Sequence, residues 1–173
     1  MAIPDRSALV CTAALAVALG AAALLGGALA FEHLGGLAPC DLCLPQRGPH
    51  AAVIVVAAWA AVCAGLAPRA AAGLLAAAVP VLILSFGLAL HHAGVEQHWW
   101  AGPAACTGTG GGLSPSADDL AQALKTAHIV RCDRIAFEMF GISLAGYNAL
   151  FSVLLALIAS APWITLRARG ESR

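Results

Sequence analysis

The sequence predicts an all-α membrane protein, folded as a four-transmembrane-helix bundle with two loops on one membrane face. Of its 173 residues, 61% are hydrophobic and only 10% are charged, whereas about 25% of the residues in a soluble domain are charged. Four long runs contain no charged residue: Ser7–Phe31, Gly48–Pro68, Ala70–Val95 and Met139–Leu166. A helix needs about 20 apolar residues to cross the hydrocarbon core of a bilayer, so each run is long enough to cross once.

These runs place the helices along a single integral membrane domain that comprises residues 1–173. The predicted transmembrane helices cover about residues 8–31, 48–66, 71–91 and 135–163, and the two long loops cover about 32–47 and 92–134. Pro80 predicts a kink in the third helix. The first run is longer than the apolar region of a cleaved signal peptide, which has about 7–15 residues. We therefore expect the first run to remain as a helix.

The second loop has structure of its own. Trp99 and Trp100 follow the third helix, in a position where tryptophan rings anchor a chain at the membrane interface. Ser116 can cap a short amphipathic helix, whose apolar face combines Ala117, Leu120, Leu124 and Ala127. This helix either lies flat on the membrane or covers the end of the bundle.

Basic residues predict the orientation of the bundle. Arginines cluster near the two termini and in the turn between the second and third helices: Arg6, Arg69, Arg167, Arg169 and Arg173. Basic residues in short segments favour the cytoplasmic side. Both termini should therefore be cytoplasmic, and both cysteine-bearing loops should be periplasmic in a bacterial inner membrane. The formal net charge of zero argues against a nucleic acid partner.

The six cysteines divide into two groups. Cys11 and Cys63 lie inside predicted helices, where cysteine usually behaves as a small hydrophobic residue. The other four occupy the two outer loops, two in each: Cys40, Cys43, Cys106 and Cys132. Three interpretations fit this arrangement, namely structural disulfides, a zinc site made of four thiolates, and two redox-active pairs that exchange electrons.

The spacing of Cys40 and Cys43 favours redox chemistry. A disulfide across two intervening residues closes too small a loop to stabilise a fold much, yet the C-x-x-C spacing is typical of thiol redox proteins. Pro45 predicts the first turn of a helix just after the pair, and a helix N-terminus stabilises a thiolate. Arg47 adds positive charge nearby. Zinc would bind the same thiolates, so a metal site stays open.

Cys106 and Cys132 permit two interpretations. A disulfide between them would close a long loop and stabilise the fold by about 3–4 kcal/mol on the chain-entropy estimate. Cys106, however, lies in a glycine-rich segment, and an exposed disulfide there would be open to attack by the thiolate of another protein. Structural bracing and thiol exchange both stay open for this pair.

Several motifs together resemble the disulfide bond formation protein B (DsbB) family. The segment Pro39–Arg47 has the pattern P-C-x-L-C-x-x-Q-R, and three later segments also fit: His92–Cys106, Val130–Asp133 and Phe140–Asn148. The resemblance implies a thiol:quinone oxidoreductase of the bacterial inner membrane that supports protein disulfide bond formation. It implies a periplasmic thioredoxin-like partner similar to DsbA, and a membrane quinone, either ubiquinone or menaquinone, as the electron acceptor.

The resemblance also implies a route for the electrons. The thiolate of the reduced partner attacks Cys106 to form a mixed disulfide, and Cys132 is the second member of that pair. Thiol–disulfide exchange then carries the electrons to Cys40 and Cys43. Cys43 is the member of the second pair that reacts with the quinone.

Two further residues are implied to bind the quinone. Arg47 would lie beside the ring, although an arginine at this depth also serves as an interfacial anchor. The other is His92, at the position that would bind a quinone oxygen or carry protons. His92 matches the family pattern at this position better than the neighbouring His91.

Two other functions stay open. A non-catalytic membrane protein with a structural four-cysteine zinc site would use the same cysteines. A disulfide reductase would move electrons in the opposite direction, because relative potentials rather than cysteine spacing set that direction. We expect Glu32, His33 and Glu96 to be solvated loop residues, and we assign no function to Gln46.

Overall fold

The structure, a computed structural model, describes residues 5–103 and 130–171. Its helices are α1 (Arg6–His33), α2 (Arg47–Cys63), α3 (Pro68–Ala76), α4 (Ala78–Glu96) and α5 (Leu144–Glu171), and a 3₁₀ turn at Leu44–Gln46 leads into α2. A short antiparallel hairpin of β1 (Glu138–Met139) and β2 (Ile142–Ser143) precedes α5. The predicted amphipathic helix after Ser116 and the predicted site residue Cys106 lie outside the described residues.

Three segments of the described chain are long and apolar enough to cross a membrane: Arg6–His33, Pro68–Glu96 and Leu144–Ala168. They support the predicted class, a helical membrane protein. Helix α2 has 17 residues, fewer than the about 20 that a crossing needs, although the 3₁₀ turn adds three residues at its N-terminal end. The fourth crossing therefore stays a prediction.

The interruption that Pro80 predicts occurs just before that residue. Helix α3 ends at Ala76 and α4 begins at Ala78. Proline has no N–H to bond the carbonyl four residues earlier, and its ring clashes with that carbonyl, which here belongs to Ala76. At the junction, the N–H of Ala77 is shared between the carbonyl oxygens of Gly73 and Leu74, four and three residues earlier, both at 3.1 Å.

Helix α4 extends to Glu96, beyond the predicted end at residue 91. Gly94 does not end the helix, and its missing side chain makes room for Trp100: a Cβ atom there would lie 2.1 Å from the indole ring. The Trp100 Nε1–H donates to the His91 carbonyl oxygen at 2.9 Å, and the two rings stack. The extension places His92 and Glu96 one turn apart on the same face of the helix.

The last helix begins at Leu144 rather than at the predicted residue 135. Phe140 and Gly141 adopt φ angles of 52° and 77°, a left-handed backbone that glycine tolerates without strain. This turn folds β1 back onto β2, so the chain is extended where the sequence predicted helix. The hairpin also brings Ser143 into contact with Glu96 on α4.

The apolar core places the two groups of cysteines at opposite ends of the bundle. A central cluster combines side chains from all five helices, among them Val17, Val53, Leu75, Leu82 and Leu155. A second cluster joins the start of α1 to the end of α5, and Cys11 and Cys63 pack against it. A third cluster contains Cys40, Val95 and Cys132. Both ends of the described chain therefore lie opposite Cys40.

Candidate redox site

Cys40 and Cys43 lie in the turn that leads into α2. The Cys43 N–H donates to the Cys40 carbonyl oxygen at 2.9 Å, and this turn brings the two sulfur atoms within 3.2 Å of each other. Both residues are thiols in the structure. The Cys40 side chain is buried, and Cys43 is half-buried. The pair can therefore share one S–H···S hydrogen bond.

The two thiols differ in acidity. A hydrogen bond from Cys40 lowers the pKa of Cys43 to about 7, although burial acts in the opposite direction. The same hydrogen bond raises the pKa of Cys40 to about 12, and burial adds to that effect. Near neutral pH, Cys43 is therefore the thiol of the pair that ionises, whereas Cys40 keeps its proton. Because the thiolate is the nucleophilic form of cysteine, Cys43 is the reactive member.

His92 reaches the pair from α4. Its Nε2 lies 3.5 Å from the Cys40 sulfur, and its Nδ1 lies 3.0 Å from the Gln46 side-chain nitrogen. That amide nitrogen also donates to the Leu42 carbonyl oxygen at 2.6 Å, so the amide presents its NH₂ group and Nδ1 accepts. The hydrogen of the neutral ring is therefore on Nε2, where it donates to the Cys40 sulfur. This contact lowers the pKa of Cys40, against the two larger effects.

Glu96 follows His92 by one helical turn and is buried, so the prediction that it is a solvated loop residue is wrong. Ser143 donates a hydrogen bond from Oγ to Glu96 Oε2. The other carboxylate oxygen lies 3.7 Å from His92 Nε2. The histidine N–H thus faces both the Cys40 sulfur and a carboxylate. The burial follows from the extension of α4 past its predicted end.

Arg47 is the first residue of α2 and forms an ion pair with Glu32 near the end of α1. The Nη2 and Oε2 atoms lie 2.6 Å apart, and both side chains are partly buried, so Glu32 is not the solvated residue predicted. Among the described residues, none accepts a hydrogen bond from the buried Nε of Arg47. The guanidinium therefore keeps a free donor, which a ligand with an oxygen atom could use.

A cavity of about 260 Å³ opens beside the cysteine pair. The lining includes many polar and charged side chains, namely Cys40, Cys43, Gln46, Arg47, His50, His92, Glu96, Arg131, Arg134, Tyr147 and Asn148. The rest of the wall is largely apolar and comes from α1, α5 and the segment before the hairpin, including Leu24, Phe31, Val130, Phe137, Leu144 and Ala145. Apolar walls with convergent polar groups are typical of sites that bind small organic molecules.

A chain of hydrogen bonds continues from Gln46 into the bundle. The Asn148 Nδ2 donates to Gln46 Oε1 at 2.7 Å, and the Asn148 Oδ1 lies 2.7 Å from His50 Nε2. Ser85 Oγ lies 3.2 Å from the same His50 nitrogen, and Ser152 Oγ donates to Ser85 Oγ at 3.2 Å. These residues come from α2, α4, α5 and the turn before α2, so the network ties the elements of the site together.

The structure brings three of the predicted site residues into contact: Cys40, Cys43 and His92. Arg47 lines the same cavity. Cys132 is fully buried in the apolar cluster that contains Cys40, and Cys106 lies outside the described residues. The roles assigned to these residues stay predictions.

Sequence reasoning missed four polar residues of this region: Gln46, His50 and Glu96, which are buried, and Asn148, which is half-buried. One signal was available, because His50 and Asn148 interrupt long runs that are otherwise apolar. Polar side chains within membrane helices almost always face the interior of the bundle or a cavity. Asn148 and Ser152 also lie one helical turn apart, which places them on one face.

The same three contacting residues could hold a metal ion. The ligand atoms of Cys40, Cys43 and His92 all lie within 4.8 Å of one another, and thiolate and imidazole are the usual ligands of zinc. This set differs from the four-cysteine site considered from the sequence, because a histidine from α4 supplies the third ligand atom.

Comparison with known proteins identifies one family. The family model described as "Disulfide bond formation protein DsbB" matches residues 11–161. The match begins in α1, ends in α5 and includes every residue of the site described above. No curated protein and no solved structure matches the chain.

Proposed function

The chain belongs to the DsbB family of membrane proteins for disulfide bond formation, and from this membership we propose that it is a thiol:quinone oxidoreductase. It reoxidises a periplasmic DsbA-like dithiol oxidase and passes the electrons through two cysteine pairs to a membrane quinone. The net effect is to sustain the formation of disulfide bonds in other periplasmic proteins.

The proposed topology has four crossings of the bacterial inner membrane, with both termini in the cytoplasm. Two observations support it: the described chain ends lie together at one end of the bundle, and Cys40 lies at the other. The arginines near the termini favour the cytoplasmic side for the first of these ends. Cys40 and Cys43 then face the oxidising periplasm.

The observation that carries the proposal is a dithiol of unequal acidity beside an apolar cavity. Both cysteines line the cavity, but Cys43 has a pKa of about 7, whereas the more deeply buried Cys40 has a pKa of about 12. A purely structural pair has no need of a stabilised thiolate. An electron donor does, because thiol–disulfide exchange and thiol oxidation both proceed through the thiolate.

The residues of the cavity fit a quinone head group. Much of the wall is apolar, as a lipid-soluble ring requires, and within the described chain the buried Nε–H of Arg47 has no acceptor. A ring oxygen would satisfy that donor. When bound, either ubiquinone or menaquinone supplies an acceptor for two electrons and two protons.

Different side chains of the protein act on each of the two thiols. Cys43 presents its thiolate to the cavity, and Arg47 orients an oxygen-bearing ligand there through a charge-assisted hydrogen bond. Cys40 must lose its proton when the disulfide forms, and the Nε2–H of His92 stabilises the charge that then appears on its sulfur. Gln46 keeps that hydrogen on Nε2 by occupying Nδ1.

The proposal assigns Cys106 and Cys132 to exchange with the partner oxidase. The partner's thiolate attacks Cys106, and Cys132 passes the electrons to the inner pair. Burial of Cys132 in the same apolar cluster as Cys40, with Cys43 packed against it, supports transfer between the two pairs. Such exchange needs two sulfur atoms to approach within bonding distance, which neighbouring side chains can achieve with little movement.

The direct test is to mix the purified protein with a reduced thioredoxin-like oxidase and a short-chain ubiquinone or menaquinone, and to follow quinone absorbance. We expect catalytic loss of the quinone, with one quinone reduced for each partner disulfide formed. No acceleration over the protein-free mixture would overturn the proposal. Net oxidation of hydroquinone by the oxidised partner would instead establish the disulfide reductase.

A second candidate function is metal binding without catalysis, which the proximity of Cys40, Cys43 and His92 favours. Metal analysis of the purified protein, together with the quinone assay, distinguishes the two functions. One zinc ion per chain in a protein that does not reduce quinone would establish a structural zinc site. The proposed oxidoreductase is expected to reduce quinone after treatment with a chelator.

A further inference from the structure

His50 is a buried histidine whose two ring nitrogens have different surroundings. The residue lies on α2, one turn after Arg47, and only 3% of its surface is exposed. Its Nε2 lies 2.7 Å from Asn148 Oδ1 and 3.2 Å from Ser85 Oγ. Within residues 5–103 and 130–171, no group forms a hydrogen bond with its Nδ1.

His50 also lines the cavity beside the cysteine pair. A buried polar atom without a partner is costly, and such atoms are rare in folded proteins. A ligand in the cavity would remove this cost by bonding to Nδ1. The unpartnered nitrogen therefore indicates a polar contact for the ligand that is separate from Arg47.

The hydrogen-bond network fixes what Nδ1 can bind. Asn148 uses its Nδ2 to donate to Gln46 Oε1, so the atom that faces His50 is the amide oxygen, which only accepts. The His50 Nε2 must therefore carry the hydrogen. In the neutral ring, Nδ1 then has a lone pair and accepts hydrogen bonds.

The neutral form is the one that these surroundings favour. Asn148 and Ser85, the described partners of His50 Nε2, are both uncharged. A charged imidazole without a counterion inside a membrane bundle is costly. His50 is thus an acceptor, whereas Arg47 can only donate.

An acceptor and a donor in one cavity distinguish the two redox states of a quinone. The oxidised ring has carbonyl oxygens, which accept hydrogen bonds and suit Arg47. The reduced ring has hydroxyl groups, which can also donate. We propose that His50 accepts a hydrogen bond at Nδ1 from a ring hydroxyl of the hydroquinone, and so binds the reduced form selectively.

This inference rests on the proposed function for the identity of the ring, and it adds a specific role to it. Binding of the product form stabilises the reduced ring while the cysteine pair is oxidised. Asn148 is the positioning residue, because it holds the hydrogen of His50 on Nε2.

The test compares the binding of a ubiquinone with one isoprene unit, in both redox states, to wild type and to His50→Phe. Phenylalanine keeps a ring in place and removes the acceptor. The quinone is titrated into fully oxidised protein, and the hydroquinone into dithiol-reduced protein without oxygen, so that no electrons move. We expect the Kd for the hydroquinone to rise about three- to tenfold, the effect of one neutral hydrogen bond, and the Kd for the quinone to change less than twofold.

Two further variants separate ligand binding from a merely structural role. His50→Gln provides an acceptor oxygen and should recover part of the affinity for the hydroquinone. His91→Phe is the matched control, because His91 is exposed, stacks on Trp100 and is absent from the cavity lining. Its two Kd values should equal those of wild type.

A measurement on the wild-type protein covers the possibility that His50→Phe does not fold. With ¹⁵N-labelled histidine, the Nδ1 resonance of His50 should shift when the hydroquinone is added and stay unchanged with the quinone. Equal effects on both ring forms, a larger effect on the quinone, or no shift of Nδ1 would each contradict the inference. If wild type binds and reduces quinone while His50→Phe binds both forms normally, the inference alone fails. If wild type does neither, the proposed function fails with it.

Discussion

The two ends of the bundle contain cysteines in contrasting surroundings. At one end, Cys11 and Cys63 pack against Val10, Ala64, Ala71, Ala72 and Leu166, which are all apolar. At the other end, Cys40 and Cys43 contact each other and His92, within a network of buried polar side chains. Both pairs lie within the same small helical bundle. The two ends therefore differ in what surrounds the sulfur atoms: polar side chains contact Cys40 at one end, whereas apolar side chains surround Cys11 and Cys63 at the other.

The contrast extends to the helix-packing residues. The end that contains Cys11 and Cys63 is built from apolar side chains, three of them alanines, and it lacks the buried polar contacts of the other end in the part of the chain that the structure describes. The end that contains Cys40 buries Gln46, His92, Glu96 and Ser143. Buried polar groups are costly unless every one is paired. Their concentration at one end therefore indicates a functional requirement there.

The largest expected effect is the loss of turnover in Cys43→Ser. The hydroxyl of serine neither forms a disulfide nor ionises near neutral pH, so quinone reduction should fall to the rate of the protein-free mixture. Steady-state quinone absorbance measures this. The matched substitution at the other end, Cys63→Ser, should keep turnover. Substantial quinone reduction by Cys43→Ser would contradict the assignment of the reactive thiol.

A smaller effect is expected for Arg47→Ala. A hydrogen bond to a charged group contributes about 1.5–3 kcal/mol, so the KM for quinone should rise about ten- to a hundredfold if the guanidinium binds a ring oxygen. The rate of thiol exchange with the partner oxidase should stay near that of wild type. Initial rates at varied quinone and at varied partner concentration separate the two.

The control for this prediction is Arg69→Ala at the opposite end of the bundle, where the arginine is exposed. It should leave both KM values unchanged. If Arg47→Ala also leaves the quinone KM unchanged, Arg47 serves as an interfacial anchor and not as a ligand.

A change of intermediate size is expected in the pH dependence of Cys43 alkylation. The hydrogen bond from Cys40 lowers the pKa of Cys43 to about 7, so the thiolate is present above that pH and is lost as the pH falls through it. Removal of the donor in Cys40→Ala should raise the midpoint of the alkylation rate towards the ordinary thiol value of 9.0. Cys40→Ser keeps a donor and should retain much of the lowering. Equal midpoints in the two variants would show that another group stabilises the thiolate.

Local patterns in the sequence predicted one part of this site. The C-x-x-C spacing, Pro45 and the long apolar runs indicated a cysteine pair at the start of a membrane helix, and the structure places Cys40 and Cys43 just before α2. These features depend on residues close together in the chain. They can therefore be predicted without knowledge of the tertiary packing.

The buried network was not predictable in the same way. Gln46 contacts Asn148 across 102 positions of the chain and His92 across 46, and such contacts depend on how the helices pack. The assignment of Glu96 to a solvated loop followed from ending the third helix at residue 91, whereas α4 continues through Gly94 to Glu96. Charge-free runs similarly did not reveal the hairpin before Leu144, because its turn depends on Gly141 and not on charge.

The smallest expected effect is that of Cys63→Ala at the apolar end. Cys63 packs against an apolar cluster and is only partly buried, so loss of its thiol should lower the free energy of unfolding by about 1 kcal/mol or less. Quinone turnover should stay within about twofold of wild type, because nothing in the described structure connects this residue to the cavity near Cys43. Cys11→Ala should behave alike. A large loss of turnover in either variant, with the thermal transition unchanged, would show that the apolar end also takes part in electron transfer, and the contrast between the two ends would no longer hold.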